Sequence, residues 1–196
     1  MNGHDLGSAD PRKVFAEWLG QAEVSEPNDA NAAALATATP DGHPSVRMVL
    51  VKQVDERGFS FFTNAESRKG MELEANPRAA LCFHWKTLRR QVRVEGPVTA
   101  MAPADVDAYF HSRSRNSQIG ATVSRQSRPL GSREELEAQV RRFAAEHPGE
   151  IQRPPYWQGF RVQAEEIEFW ADGPDRLHDR FLFTRDSGWK CSRLYP

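Results

Sequence analysis

The chain of 196 residues is 39% hydrophobic, and its 26 basic and 27 acidic residues give a formal net charge of -1 at pH 7. That length favours one sizeable domain with its own core, and the near balance of charge excludes a polyelectrolyte that binds nucleic acid or membranes through net charge. The two cysteines, Cys82 and Cys191, lie far apart without a CxxC pair, so neither a disulfide framework nor a metal site is indicated.

The first predicted element is an amphipathic helix near the N-terminus. Asp10 is placed to cap it, Pro11 occupies the first helical position, and apolar residues at 14, 15, 18 and 19 share one face. Three β-like runs follow, at residues 33–40, 45–54 and 59–64, separated by turns. Ser67 then caps a short helix, "SRKGMELEAN", which the Asn76-Pro77 pair ends.

The second half of the chain continues with strands and helices in blocks. "RAALCFHW" and "RRQVRVEGPVTAM" are predicted strands, and "APADVDAYFHSR" and "SREELEAQVRRFAAEH" are predicted helices. "GFRVQAEEIEFWAD", "DRLHDRFLFTR" and "GWKCSRLYP" close the chain as strands. About six strands in hairpins, with helices grouped between them, predict an α+β fold with an antiparallel barrel and helices packed outside. We expect one cytoplasmic domain over residues 1–196 with a flexible arm at 1–10 and no membrane segment.

One stretch of the chain, residues 109–128, holds four arginines, five serines and no carboxylate. If residues 109–117 are helical, Tyr109, Arg113 and Ser117 follow at i, i+4 and i+8 and face one small volume. A phenol, a guanidinium and a hydroxyl together suit a phosphate monoester. The alternative is a solvated polar face, although such a face usually mixes charges of both signs.

A second basic group follows the barrel strands. Arg68 and Lys69 start the short helix behind Ser67, where free N–H groups and a partial positive charge favour an anion. Surface charge is the alternative for these two residues. Arg47 and Lys52 are five residues apart, so a regular strand sends them to opposite faces, and both serve one pocket only if a bulge or a bend intervenes.

A third group lies in "IEFWADGPDRLHDRF". Arg176, His178 and Arg180 alternate, which predicts that they share one face of a strand after the Gly-Pro turn. Such a face suits an anionic or electron-rich ligand better than a packed core, and Trp170 offers a flat wall for an aromatic ring. Trp170 as a core residue and His178 as an ordinary histidine are the alternatives.

Eight blocks in order carry a family resemblance. They are "RMVLVK", "FFTNAESRKG", "NPRAAL", "LRRQVRVEGPV", "YFHSRSRNSQIGATVSRQS", "YWQGFRV", "IEFWADGPDRLHDRF" and "RLYP". Together, over about residues 9–196, they resemble the pyridoxine/pyridoxamine 5'-phosphate oxidases. The resemblance implies an FMN-binding split β-barrel and a homodimer with two active sites at the subunit interface. It also implies oxidation of the vitamer phosphate to pyridoxal 5'-phosphate, with dioxygen reduced to hydrogen peroxide.

The resemblance also implies roles for particular residues. The implied FMN contacts are Arg47, Met48, Val49, Leu50, Lys52, Phe62, Thr63, Arg68, Lys69, Gln91, Gln126, Ser127, Trp170 and Arg180. The implied substrate contacts are Lys52, Tyr109, Arg113, Ser117, Arg176 and His178. Arg176 and His178 are the implied catalytic residues, which orient the reacting C4' carbon and assist proton movement. The resemblance assigns no role to Arg115, Arg125 or Arg128.

Two departures and two competing functions remain. "MNGHDLGSAD" lacks the arginine and tyrosine with which family members often cover the substrate, and Phe62 stands where some members have tyrosine.

A related FMN oxidase acting on dihydrophenazine intermediates is the first alternative function, but the four groups suited to a phosphate, Lys52, Tyr109, Arg113 and Ser117, argue against it. A flavin-binding or pyridoxal-phosphate-carrying protein with little turnover is the second, and the presence of both Arg176 and His178 argues against that.

Overall fold

The computed structural model describes residue 6 and residues 9–196. The helices are α1 (Pro11–Ser25), α2 (Arg68–Ala75), α3 (Pro103–Ser112), α4 (Arg115–Val123) and α5 (Arg133–Glu146). The strands are β1 (Ala32–Ala38), β2 (Pro44–Asp55), β3 (Gly58–Asn64), β4 (Arg78–Trp85), β5 (Arg90–Ala100), β6 (Trp157–Val162), β7 (Glu166–Ala171), β8 (Asp179–Arg185) and β9 (Trp189–Arg193). No helix in this part of the chain has the length and apolarity to span a membrane.

Six of the strands close into a barrel. The order is β4-β1-β2-β3-β6-β5, and β5 also pairs with β4, so the ring has no free edge; every pairing is antiparallel. The strands β7, β8 and β9 extend the sheet outward from β5. The predicted antiparallel barrel with helices outside is therefore confirmed, although the described residues hold nine strands and not about six.

One of the additional strands arises where a single predicted strand divides. Residues 160–162 of β6 and 166–171 of β7 both pair with β5, but β6 pairs with β3 on its other side whereas β7 pairs with β8. At the division the chain passes so close to β5 that a Cβ on Gly96 would lie 1.9 Å from the carbonyl oxygen of Gln163. Only glycine permits that approach, so the chain leaves the barrel for the extension at this point.

Helix α1 packs its apolar face into the barrel core. The Asp10 side chain caps the helix by accepting from the backbone N–H of Arg12 at 3.0 Å, as predicted. Phe15 is buried with its ring 4.9 Å from the rings of both Phe59 and Phe83, in edge-on contacts. Leu6 is buried in the same core, while most of the arm expected at residues 1–10 lies outside the described residues.

The helix predicted through residues 109–117 is not continuous. Helix α3 ends at Ser112, Arg113 is extended at φ -77° and ψ 154°, and Ser114 begins α4 by accepting from the N–H of Ser117 at 3.3 Å. The i, i+4, i+8 argument is therefore wrong. Serine side chains are the physical reason, because they bond to nearby backbone groups and so favour caps over helix interiors.

The strand predicted to carry three alternating cationic residues also begins later. Residues Pro174–Arg176 form a 3-10 turn, in which Asp175 and Arg176 have left-handed φ values of 53° and 63°. Strand β8 starts only at Asp179. Arg176, His178 and Arg180 therefore do not alternate along one strand, because the proline-led turn takes up the residues before it.

Candidate active site

A cleft of about 810 Å³ lies on the outer side of the barrel, between β2, the start of α2 and the α3–α4 corner. Most of the predicted site residues line it: Arg47, Met48, Val49, Leu50, Lys52, Phe62, Thr63, Arg68, Lys69, Tyr109, Arg113, Ser117, Gln126 and Ser127. Four lining residues were not predicted: Ser45, Val46, Ser114 and Trp157. The structure thus brings both predicted anion-binding groups into one cleft, even though residues 109–117 do not form the single helix that was predicted.

Lys69 is a buried cation at the floor of this cleft. Its Nζ lies 3.1 Å from Thr63 Oγ1, 3.2 Å from Ser67 Oγ and 2.8 Å from Gln126 Oε1, and none of these partners carries a charge. Burial, together with repulsion from Arg47, lowers the pKa of Lys69 to about 8. A buried ammonium that hydrogen-bonds only to neutral groups is suited to an incoming anion, which would stabilise its charged form.

Glu72 is a buried acid that the sequence reasoning missed. It accepts from Arg68 Nε at 2.8 Å and from the hydroxyls of Ser45 and Thr37, both at 2.5 Å, and it lies 3.4 Å from Arg47 Nη2. Burial would raise the pKa of Glu72, but the hydrogen bonds outweigh it and lower the pKa to about 2. Glu72 therefore stays charged and fixes the two guanidinium groups. Its i, i+4 spacing from Arg68 was the available signal.

Strand β2 contains a bulge, which is one of the two irregularities that would let Arg47 and Lys52 serve one pocket. The pairing with β3 passes from Val51 opposite Phe61 to Gln53 opposite Ser60, which leaves Lys52 as the extra residue. Arg47 and Lys52 both line the cleft, as expected for a bulged strand.

The first turn of α2 faces the cleft with its backbone donors. Ser67 caps the helix as predicted, accepting from Gly70 N at 3.4 Å, and Ser127 Oγ accepts from Arg68 N at 3.2 Å. Ser127 has a left-handed φ of 70°, an uncommon conformation for a residue with a side chain and one that clusters at binding sites. This helix start combines N–H groups, a partial positive charge and the side chains of Arg68 and Lys69, which together suit a phosphate.

The second anion-binding group is braced by aromatic rings. Phe62 stacks on Tyr109 with 4.0 Å between centroids and on Trp157 with 5.3 Å. The Cζ atom of Arg113 lies 5.0 Å from the centroid of the Trp157 ring. Arg113 Nη1 is buried and makes no hydrogen bond within the described residues. A buried charged donor without an acceptor destabilises a fold by about 1–3 kcal/mol or more, so this arrangement fits an anionic ligand.

A second cluster of predicted residues lies on the β5–β7–β8 extension and does not line the cleft of this chain. Its members are Gln91, Trp170, His178 and Arg180, and Arg176 lies in the turn that leads to β8. Gln91 is the register partner of Trp170, which in turn is the partner of Arg180, so the three share one face of the sheet. The His178 ring lies 4.6 Å from the Trp170 ring. The predicted site is thus divided into two parts of the chain.

Two acids that were not predicted hold this second cluster in place. Glu168 is buried, accepts from Arg180 Nε at 2.8 Å and also bonds Arg93. Burial would raise the pKa of Glu168, but the two guanidinium groups outweigh it and lower the pKa. Asp172 lies with its Oδ1 3.1 Å from His178 Nδ1. The alternation of charges along β7 gave no sign that one of its acids would be buried.

The remaining arginines of residues 109–128 do not line the cleft. Arg115 donates to the carbonyl oxygens of His147 and Gly149, which lie just beyond the end of α5. This is a helix-capping contact, since the last carbonyls of a helix favour a cation. Arg125 and Arg128 are exposed in the following loop, where Arg128 N donates to Arg125 O at 3.0 Å.

Comparisons with known proteins identify relatives over nearly the whole chain. Residues 20–147 match a family model described as pyridoxamine 5'-phosphate oxidase, and residues 157–196 match the pyridoxine 5'-phosphate oxidase C-terminal dimerisation region. The pyridoxine/pyridoxamine 5'-phosphate oxidase of Rhodospirillum rubrum is 62% identical over 97% of this chain and 98% of its own length. The protein of the same name from Gluconobacter oxydans is 60% identical over 96% and 95%.

Solved structures show the same architecture. PhzG from Burkholderia lata, in complex with tetrahydrophenazine-1-carboxylic acid, superposes with a TM-score of 0.91 at 34% identity, covering 96% of this chain and 93% of that one. A pyridoxamine 5'-phosphate oxidase-related, FMN binding protein from Nostoc punctiforme superposes with a TM-score of 0.80 at 18% identity, covering 96% and 98%. The second likeness concerns the fold alone.

Proposed function

The chain belongs to the pyridoxamine 5'-phosphate oxidase family, and from this premise we propose that it oxidises pyridoxine 5'-phosphate and pyridoxamine 5'-phosphate to pyridoxal 5'-phosphate with bound FMN. Dioxygen is the electron acceptor and hydrogen peroxide the product. The alcohol substrate needs only dioxygen, whereas the amine also takes up water and releases ammonia.

The observation that carries this proposal is the presence of two separate phosphate-suited groups in one cleft. One consists of the α2 N-terminus with Arg68 and Lys69, and the other of Tyr109 and Arg113 with their aromatic brace. A flavin mononucleotide and a vitamer phosphate bring one phosphate each. We assign the first group to FMN and the second, with Lys52 and Ser117, to the vitamer.

The donors of the cleft fit these two phosphates chemically. Arg47 and Arg68 are held by Glu72, so their orientation does not depend on the ligand. Arg113 presents a buried nitrogen without an acceptor. Bound FMN supplies the redox chemistry, because a flavin accepts a hydride equivalent from carbon and passes electrons to dioxygen.

The second cluster completes the site if two copies of the chain associate. The chain carries a C-terminal dimerisation region, and Val46, Met48 and Leu50 lie exposed in alternation on β2, which suits a subunit contact. We propose a homodimer in which Gln91, Trp170 and Arg180 of one subunit complete the FMN site of the other. Arg176 and His178 would then reach the vitamer, where arginine holds position and histidine exchanges a proton.

A phenazine-type oxidase is the second candidate, because a relative of this fold and 34% identity holds tetrahydrophenazine-1-carboxylic acid. That ligand carries a carboxylate but no phosphate, and one carboxylate with two oxygens does not need Lys52, Tyr109, Arg113 and Ser117 together. The first function accounts for Arg113, Tyr109 and Ser117 together.

Oxygen uptake by the FMN-loaded protein tests the proposal. We expect oxygen consumption and pyridoxal phosphate formation with both vitamer phosphates, and none with a dihydrophenazine carboxylate. Arg113→Ala should weaken vitamer binding and leave FMN binding intact, through loss of a charged phosphate contact of about 1.5–3 kcal/mol. Turnover of the phenazine alone would overturn the assignment.

Mixing two inactive variants tests the shared site. Arg113→Ala damages the cleft and Arg176→Ala the second cluster, so a hybrid dimer of the two has one site built wholly from unchanged residues. Random exchange of subunits makes half the dimers hybrids, and activity should recover to about a quarter of the wild-type value. Absence of recovery, with hybrid formation shown by two different affinity tags, would place both parts in one subunit.

A further inference from the structure

The guanidinium group of Arg113 is held by an aromatic ring and by no polar partner. Its side chain makes no hydrogen bond and no ion pair among the described residues, and its Nη1 is buried. An arginine side chain carries about 2 kcal/mol of rotamer entropy, so it stays in one orientation only if something holds it. The contact that does so is with the Trp157 indole, whose centroid lies 5.0 Å from Cζ.

Trp157 is itself fixed from several directions. It is 5% exposed, its backbone N–H donates to Pro154 O at 2.9 Å, and it is the register partner of Asn64 in β3. Its carbonyl accepts from Arg153 at 2.7 Å, and Arg153 in turn bonds Asp107 of α3. Phe62 stacks on its ring with an interplanar angle of 9°. The indole is therefore a rigid surface tied to both the barrel and α3.

We propose that Trp157 is a positioning residue that sets the preference for phosphorylated vitamers through Arg113. An aromatic ring attracts a guanidinium that stacks on it. The N–H donors of the guanidinium lie in the plane of the cation, so stacking leaves them free for phosphate oxygens. The indole thus orients Arg113 without competing for the donors that the phosphate needs. This inference rests on the proposed function, and it adds a residue to which neither the pattern nor the family resemblance assigned a role.

Two substitutions of Trp157 distinguish the effect of its aromatic ring from the effect of its apolar volume. Trp157→Phe keeps an aromatic face of weaker attraction, and Trp157→Leu keeps an apolar side chain without one. Trp189→Leu is a matched control, because Trp189 also holds an arginine, Arg185, over its ring at 5.9 Å but does not line the cleft. Each variant is loaded with FMN, and the Kd for FMN is measured first.

The readout is the ratio of Kd values for pyridoxine and pyridoxine 5'-phosphate, measured by calorimetry without oxygen on protein whose FMN has first been reduced, so that no hydride transfer accompanies binding. The kcat and KM of the oxidised, FMN-loaded protein are measured separately. For Trp157→Leu we expect the Kd and KM of the phosphate ester to rise about tenfold, with the Kd of pyridoxine and of FMN within about twofold of wild type. The Kd and KM of the phosphate ester for Trp157→Phe should lie between those of wild type and Trp157→Leu. The values for Trp189→Leu should match those of the wild type.

A double-mutant cycle with Arg113→Ala identifies the route of the effect. If Trp157 acts through Arg113, its replacement should have no further effect on phosphate-ester binding once Arg113 is alanine. An equal loss for pyridoxine and its phosphate, or a full effect in the Arg113→Ala background, would overturn the inference. Should Trp157→Leu not fold, the Phe variant decides alone: a ratio equal to wild type refutes the positioning role. Because the ratio is a binding measurement, it stays decisive even if wild-type protein shows no turnover, a result that refutes the proposed function instead.

Discussion

The low pKa of Lys69 predicts that FMN affinity falls in mildly alkaline solution. Lys69 has a pKa of about 8 in the protein without ligand, because it is buried and Arg47 repels it. It is therefore about nine-tenths charged at pH 7 and about one-tenth charged at pH 9. The FMN phosphate, with a second pKa of about 6, is a dianion over this range. The perturbation is thus a pH change that alters Lys69 and leaves the phosphate charge unchanged.

The magnitude follows from the pKa. A dianion beside Lys69 raises its pKa, so the complex holds the proton at pH 9 whereas the free protein does not. Binding then takes up one proton, and the Kd for FMN should rise about tenfold between pH 7 and pH 9, or ~1.4 kcal/mol. The sign agrees with linkage for a lysine of lowered pKa, since protonation is unfavourable in the free folded protein until the anion arrives.

Fluorescence titration of apoprotein with FMN at pH 7, 8 and 9 and constant ionic strength measures the effect. Lys69→Arg is the matched control, because arginine stays charged at pH 9 and should abolish the pH dependence. Lys69→Met should bind FMN more weakly at pH 7 and show no pH dependence either. A tenfold rise that persists in Lys69→Arg would refute the assignment of this proton to Lys69.

Three further predictions concern stability and turnover. Glu72 has a pKa of about 2 against an ordinary value of 4.5. It should therefore contribute about 3 kcal/mol to the free energy of unfolding, which is present above pH 4.5 and lost as the pH falls towards 2. In urea unfolding, Glu72→Gln should remove this dependence of stability on pH. Gly70→Ala places a Cβ 2.1 Å from Ala65 O and should lower the free energy of unfolding by about 1–3 kcal/mol. Gly20→Ala is the control, because its Cβ meets nothing within 4 Å, and it should raise the Tm slightly. Equal Tm values for the two variants would contradict the clash at Gly70. Arg176→Ala should lower kcat more than it raises KM, and a change in KM alone would make Arg176 a uniform binding residue.

The elements of the fold followed from local patterns. The caps at Asp10 and Ser67 were predictable, because each depends on residues close together in sequence. The bulge at Lys52 was only a condition for Arg47 and Lys52 to share a pocket, because a bulge is defined by the pairing with the partner strand β3. The division of β6 from β7 was not, because it depends on a change of partner strand and on close contact with Gly96, which is distant along the chain.

The candidate site was predicted through the family blocks more than through geometry. Tyr109, Arg113 and Ser117 do line one cleft, but a serine-capped corner brings them together and not a single helix face. The positions of Glu72 and Trp157 depend on burial against other elements, which one sequence does not reveal. Charge patterning could only mark the acid as an i, i+4 partner of Arg68.

The pairing of strand β5 has a consequence for local unfolding of the molecule. Its 11 residues, about 36 Å long, pair with β4 along one edge and with β6 and β7 in succession along the other. Barrel and extension thus share one hydrogen-bonded strand, and neither can fray from it without exposing the backbone of the other. In hydrogen exchange the two should open as one cooperative unit, with the amides of β5 exchanging at a rate set by global unfolding.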